Sequence, residues 1–146
     1  MTCKTAPIPG DRVIYGIPSH SARGCWHIAE PLLQTVIDRF DPGYTTDDLL
    51  FRVEHQDMQL WVVAPDEVCA VVITEITNFP QYKTLHAPFI AGERMDEWFD
   101  SVFDVLEAFA KHHGCKYLTG CGRRGWIRQG KPRGYKETYT VIRKEL

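Results

Sequence analysis

A chain of 146 residues is sized for one domain, spanning residues 1–146, around one core. With 44% hydrophobic and 25% charged residues it is not a disordered chain, and no apolar run reaches the ~18–20 residues of a membrane span. The net charge of −2 conceals a division: residues 1–110 carry seven Lys/Arg against seventeen Asp/Glu, and residues 111–146 carry ten against two.

The opening segment, MTCKTAPIPG, lacks the apolar stretch of a secretory signal. The five cysteines form no CxxC pair, which suits free thiols in a reducing cytoplasm. The first strand is predicted at DRVIYGIP, residues 11–18. After a loop, SHSARG, the helical spacing of Ile28, Leu32, Leu33, Val36 and Ile37 predicts a helix over 26–39. Pro31 places its start near Ala29 or Glu30, because proline suits a first turn, and DPG at 41–43 stops it. YTTDDLLFRVEHQ predicts a second helix, with Thr45 or Thr46 as cap and Asp47 and Asp48 at its positive end.

MQLWVVAP and VCAVVITEIT then predict an antiparallel strand pair. Both faces of the second are apolar, so it belongs at the centre of a sheet covered on both sides. YKTLHAPFIAG predicts a fourth strand, bulged or unpaired at Pro88, which has no N–H to donate. The apolar stripe Met95, Trp98, Phe99, Val102, Phe103, Leu106, Phe109, Ala110 predicts a long helix over 94–113, ended by Gly114. CKYLTGC predicts a short strand, residues 125–130 a short helical or irregular piece, and ETYTVIRKEL a terminal strand. The order β-α-α-β-β-β-α-β-α-β predicts an α/β fold with a mixed, mostly antiparallel sheet and helices on both faces.

That order, with the segment from APFIAGERMDEW to the terminal strand, resembles the GNAT (N-acetyltransferase) superfamily. The likeness is clearest over residues 67–146. In Gly122, Arg123, Gly125, Trp126, Arg128, Gly134 and Tyr135 the chain is most similar to divergent GNAT-like proteins of tailed phages. The resemblance implies an acyl-CoA, acetyl-CoA above all, lying between two parting strands. One strand ends at Ala91; the other spans 116–121. It implies cofactor contacts from Phe89, Ile90, Ala91, Gly92, Arg94 and Met95, and from Arg123, Arg124, Trp126 and Arg128. The N–H groups opening the long helix would face the pyrophosphate, and the basic C-terminal third suits so anionic a cofactor.

Two departures separate this chain from active members of the family. The family's Arg/Gln-x-x-Gly-x-Gly/Ala loop stands here as AGERMDEW, with one glycine and three acids, and no tyrosine lies between Gly122 and Gly134. The chemistry implied is attack of an amine on a thioester, which needs a base. His86 has a suitable intrinsic pKa, and Glu75 interrupts an apolar strand where desolvation would raise a carboxyl pKa; these are the candidate catalytic residues. His112, His113, Cys115 and Cys121 lack paired ligand spacing, so no metal is expected.

Three functions follow from these features. The first is an acetyl-CoA-dependent N-acetyltransferase acting on an amine in the cytoplasm. The second is a catalytically silent GNAT-fold phage protein, with a protein partner in assembly or in the virion. In the third, the basic segment GRRGWIRQGKPRGYK binds nucleic acid, with Trp126 and Tyr135 stacking on bases. This reading is disfavoured, since Trp126 and Ile127 are placed to seal the short helix against the sheet. No membrane partner is expected.

Overall fold

The computed structural model describes residues 13–122 and 124–146. Five strands form one sheet in the order β1-β2-β3-β4-β5. They are β1 (Ile14–Ile17), β2 (Gln59–Val63), β3 (Ala70–Asn78), β4 (Lys83–Gly92) and β5 (Tyr117–Gly120). Neighbours from β1 to β4 are antiparallel; β4 and β5 are parallel. As its two apolar faces require, β3 is central, with Ala70, Val71, Val72 and Ile73 all fully buried.

Helices cover both faces. On one, α1 (Ala22–Phe40) and α2 (Thr46–Glu54) contribute Leu33, Leu49 and Val53 to a core with Leu60, Ile73 and Phe89. On the other, α3 (Met95–His112) sets Trp98, Phe99, Val102 and Leu106 against Trp61, Val72 and Leu85. The short α4 (Arg124–Gly130) lies along α3, with the Trp126 ring 5.9 Å from Trp98 and 5.8 Å from Phe99. Among the described residues no helix is long and apolar enough to cross a membrane.

Local chemistry explains most boundaries. The Thr45 hydroxyl accepts from the Asp48 N–H at 3.1 Å while the Asp48 carboxylate accepts from the Thr45 N–H at 2.8 Å, a closed capping box. Asp41 ends α1 in the left-handed region at φ 46°, and Gly114 follows α3 at φ 74°.

Two expectations are corrected. First, α1 starts at Ala22, directly after a 3-10 turn at Ser19–Ser21, and Pro31 lies inside it. Ala22, Cys25, Trp26 and Ala29 are all buried in the first two turns, and that packing outweighs the one hydrogen bond that Pro31 removes on its exposed side. Second, ETYTVIRKEL forms no strand: residues 135–146 have no regular structure, and Tyr139, Val141 and Ile142 are 79–90% exposed. Alternation suits a segment to a sheet, but a strand exists only where a neighbour accepts its backbone bonds.

Candidate functional site

The site begins with the proline in β4. Ile73 pairs with Phe89 and Glu75 with His86, so Thr74 alone stands opposite both Ala87 and Pro88. That is a β-bulge, at the position where proline cannot donate to a ladder. Side chains change face across it. Leu85 and Ala87 belong to the α3-side core, whereas Phe89 and Ala91 belong to the α1-side core.

At the same point β4 and β5 part. Their pairing runs from Thr84↔Tyr117 to Ala87↔Gly120 and closes with the Cys121 N–H donating to the Ala87 carbonyl at 3.2 Å. β4 continues beside β3 to Gly92, so among the described residues no strand lies on the β5 side of residues 88–92.

The bulge and the parting frame His86. It lies directly across from Glu75 on β3 and Thr119 on β5. Its Nδ1 is 2.8 Å from the Thr119 hydroxyl, and its Nε2 is 3.7 Å from the Cys121 sulfur. In the neutral tautomer that donates Nδ1–H to Thr119, Nε2 accepts the Cys121 thiol proton; the other tautomer reverses both bonds. Burial pushes the His86 pKa below its ordinary value, and the Glu75 carboxylate recovers part of the shift. Burial likewise pushes the Cys121 thiol up, so it stays protonated. The result is a neutral imidazole at the fork of two strands, its Nδ1 facing the Thr119 hydroxyl and its Nε2 facing the Cys121 sulfur.

The structure thus brings the two candidate catalytic residues, His86 and Glu75, face to face. It adds Thr119 and Cys121, which carry no motif or spacing and become neighbours only through strand register. Of the candidate cofactor contacts, Phe89 and Ala91 point into the core, and Phe89 packs edge-on to Tyr44 at 5.9 Å. Ile90 and Met95 are half-buried against the α3-side core. What these positions offer the fork is backbone. Gly92, at φ 143°, sits where a Cβ would overlap the Cys69 carbonyl and Ala70, so this corner admits only glycine.

Arg94 caps α3 in the left-handed region at φ 64°. Its guanidinium donates to Glu97 at 2.6 and 2.8 Å and to Asp66 at 2.8 and 3.2 Å, and these carboxylates hold its pKa high. α4 lies beside this first turn of α3, with Gln129 donating to Asp96. Arg124 and Arg128 are exposed there and Trp126 is half-buried, while Arg123 lies outside the described residues. Trp126 packs on α3 because Gly122 has no side chain; a Cβ there would overlap the indole.

The basic segment is partly neutralised. Arg133 donates to Asp104 at 2.7 Å and to Glu107 at 3.0 Å, and Tyr135 donates its hydroxyl to Glu107 at 2.6 Å. Both aromatic residues of this segment therefore pack on α3. Among the described residues no group of three or more His, Cys, Asp or Glu could hold a metal ion. Two open surface depressions lie elsewhere, one at Tyr44, Phe51 and Arg52, the other between Trp61 and Phe109.

No protein-family model and no curated protein matches the sequence. Solved structures do match the fold. The BH1408 protein of Bacillus halodurans, in tetramutant form, superimposes with a TM-score of 0.66 at 11% identity, over 92% of this chain and 99% of that one. Ribosomal-protein-alanine N-acetyltransferase of Brucella melitensis gives 0.63 at 14% identity, over 91% and 99%. Glucosamine-6-phosphate N-acetyltransferase of Arabidopsis thaliana gives 0.63 at 16% identity, over 90% and 96%. With its bulged β4 parting from a parallel β5, the chain has the fold of the GNAT acetyltransferases.

Proposed function

We propose that this chain is a GNAT-fold, acyl-CoA-dependent N-acetyltransferase acting on an amine. The observation that carries the proposal is the fork of β4 and β5 at Ala87 and Gly120, with neutral His86 set at its apex. The outward backbone of residues 88–92 suits the amide-bearing arm of the cofactor, and the exposed Arg124 and Arg128 suit its phosphates. Acetyl-CoA would supply the activated thioester. His86 would take the amine's proton at Nε2, with Thr119 fixing the ring through Nδ1 and Glu75 stabilising the imidazolium formed. The imidazolium so formed would then return that proton to the leaving thiolate, while Cys121, made a weaker acid by burial, would only position the ring through Nε2 before the amine enters.

A second reading rests on the phosphate end of the site. Arg94 is already held by two carboxylates, and Glu93, Asp96 and Glu97 crowd the helix terminus where an anion would dock. Those features suit a silent GNAT-fold protein with an assembly role. Nucleic-acid binding is less well supported, since Trp126 and Tyr135 are packed against α3 and Arg133 is paired.

Thermal unfolding with acetyl-CoA separates the two leading readings. A ligand at about a hundred times its dissociation constant stabilises the folded chain by about 2.7 kcal/mol, which raises the melting temperature by several degrees. No shift at millimolar acetyl-CoA would leave the silent reading standing. If the shift appears, acetyl transfer to a panel of amines should fall about a hundredfold or more in His86→Ala.

A further inference from the structure

We propose that Phe79, Tyr82 and Tyr117, with Lys83 and Lys116, form a platform that binds single-stranded nucleic acid, its bases stacked on the rings and its phosphates on the ammonium groups. Nothing in this depends on the acyl-CoA reading. The platform also stands apart from α4. Lys83 lies against Gly114, just past the last turn of α3, whereas α4 packs on the first turn, and α3 is about 27 Å long.

Folding alone does not call for these rings. NFPQYK closes the β3–β4 hairpin, where turn chemistry asks for asparagine, proline or glycine rather than for two aromatic residues. Phe79, Tyr82 and Tyr117 are nonetheless 38–50% exposed, with the Tyr82 ring 5.7 Å from Phe79 and 4.9 Å from Tyr117. One exposed ring is ordinary, but three in contact make a patch that marks a binding surface. The patch is held in shape. The Phe79 N–H donates to the Tyr82 carbonyl at 2.9 Å, and the Lys116 N–H donates to the Lys83 carbonyl at 2.8 Å, which ties the α3–β5 turn to the hairpin.

Charge selects an anionic partner. Residues 76–92 and 108–136 contain no Asp or Glu. Among the described residues neither Lys83 nor Lys116 is in an ion pair, in contrast to Arg94 and Arg133. Both ammonium groups are therefore free to neutralise phosphates.

The ring angles select a strand over a single nucleotide. Phe79 is tilted 56° to Tyr82, and Tyr82 stands at 81° to Tyr117, so no one base lies flat on two of them. A ligand that uses the whole patch brings successive bases joined by phosphates. The Lys116 ammonium, 5.5 Å from the Tyr82 ring and 5.4 Å from the Tyr117 ring, stands beside both, within reach of the phosphate that joins two such bases. An acidic peptide would use the lysines and leave the ring faces idle. A duplex keeps its bases stacked on one another and offers none to the rings.

Fluorescence anisotropy of labelled oligo(dT) and oligo(U), each of about twelve nucleotides, titrated with the full chain tests the proposal, with a duplex and oligo-glutamate of equal length as comparisons. The expected result is binding of both single strands, tighter than the comparisons by about tenfold or more. Affinity should fall with salt at a log–log slope of about −1.4, as for two neutralised phosphates. Tyr82→Ala with Tyr117→Ala should weaken binding about tenfold or more at an unchanged slope, and Lys116→Ala should lower the slope by about 0.7. The three side chains are exposed, so each variant should keep the wild-type melting transition. The proposal is overturned if neither single strand binds at about 20 mM salt, if the duplex or oligo-glutamate binds as tightly, or if both variants bind as the wild type does. Should the tyrosine variant fail to fold, the slope in Lys116→Ala and the preference over the duplex decide alone.

Discussion

His86 lies directly opposite Glu75 across the β3–β4 ladder, at the point where a bulge slips the register of that ladder. The partly buried ring resists its proton, with the carboxylate recovering some of the cost. The unfolded chain therefore binds a proton at His86 at higher pH than the folded chain does. Stability should fall as pH drops from about 6.5 toward the lower folded value, and level off below it. Carboxylates with lowered pKa values, Asp48 and Asp66 among them, withdraw their contribution only in a more acidic window, below about 4. Urea midpoints between pH 8 and 5 should thus slope for the wild type and flatten for His86→Gln. Identical slopes would mean that the ring is fully solvated.

Glu107 is shared by two donors from the segment after α4. Burial opposes the Arg133 charge, but the hydrogen bonds it donates to Asp104 and Glu107 outweigh it and hold the pKa high. Its side chain is 19% exposed, so losing the clasp is costly. Arg133→Ala should destabilise by about 1.5–3 kcal/mol, and Tyr135→Phe by about 1 kcal/mol. Because both act on one carboxylate, the double variant should differ measurably from the sum in urea unfolding.

How far such features can be read ahead depends on whether their cause is local. The helical stripe of α3, the capping box at Thr45 and the two apolar faces of β3 are written in spacing, and Pro88 announced the bulge because a missing N–H needs no tertiary context. Pro31 misled for the complementary reason: its local preference for a first turn lost to burial of Ala22, Cys25 and Trp26. The Arg133 clasp joins positions 26 to 33 residues apart, and no periodicity connects them. The same holds for Cys121 and His86, 35 residues apart and joined only by the β4–β5 register. The terminal segment has the composition of a strand, but composition does not supply the neighbour whose backbone a strand must bond.

Gly92 tests the corner at which β4 leaves the fork. At φ 143° its backbone is in a region reserved for glycine, and the atoms a Cβ would meet are the Cys69 carbonyl and Ala70, backbone that cannot rotate away. The Glu93 N–H donating to Cys69 at 3.0 Å pins the same corner. Gly92→Ala should therefore cost about 3 kcal/mol or more, combining overpacking with strain. Gly43→Ala, also at positive φ but with nothing within 4 Å, should cost far less. Comparable melting temperatures for the two would show that the strand end yields where the close contacts say it cannot.

Arg94 stands at the start of α3, where the acyl-CoA reading would seat an anionic cofactor, and Asp66 and Glu97 already occupy it. All three groups lie near the surface, so the ion pairs add little to stability and are weakened by salt. Under the acyl-CoA reading their larger effect would be on binding: an incoming pyrophosphate would have to displace two carboxylates and then sit beside them. Asp66→Asn with Glu97→Gln removes both costs and leaves the guanidinium in place. Under the acyl-CoA reading, titration calorimetry should show CoA binding several-fold tighter in the double variant, with a steeper salt dependence, while the melting temperature without ligand barely moves. Added Arg94→Ala should abolish the gain. If affinity is unchanged when the carboxylates are removed, the phosphates bind elsewhere, and the exposed Arg124 and Arg128 on α4 become the positions to substitute next.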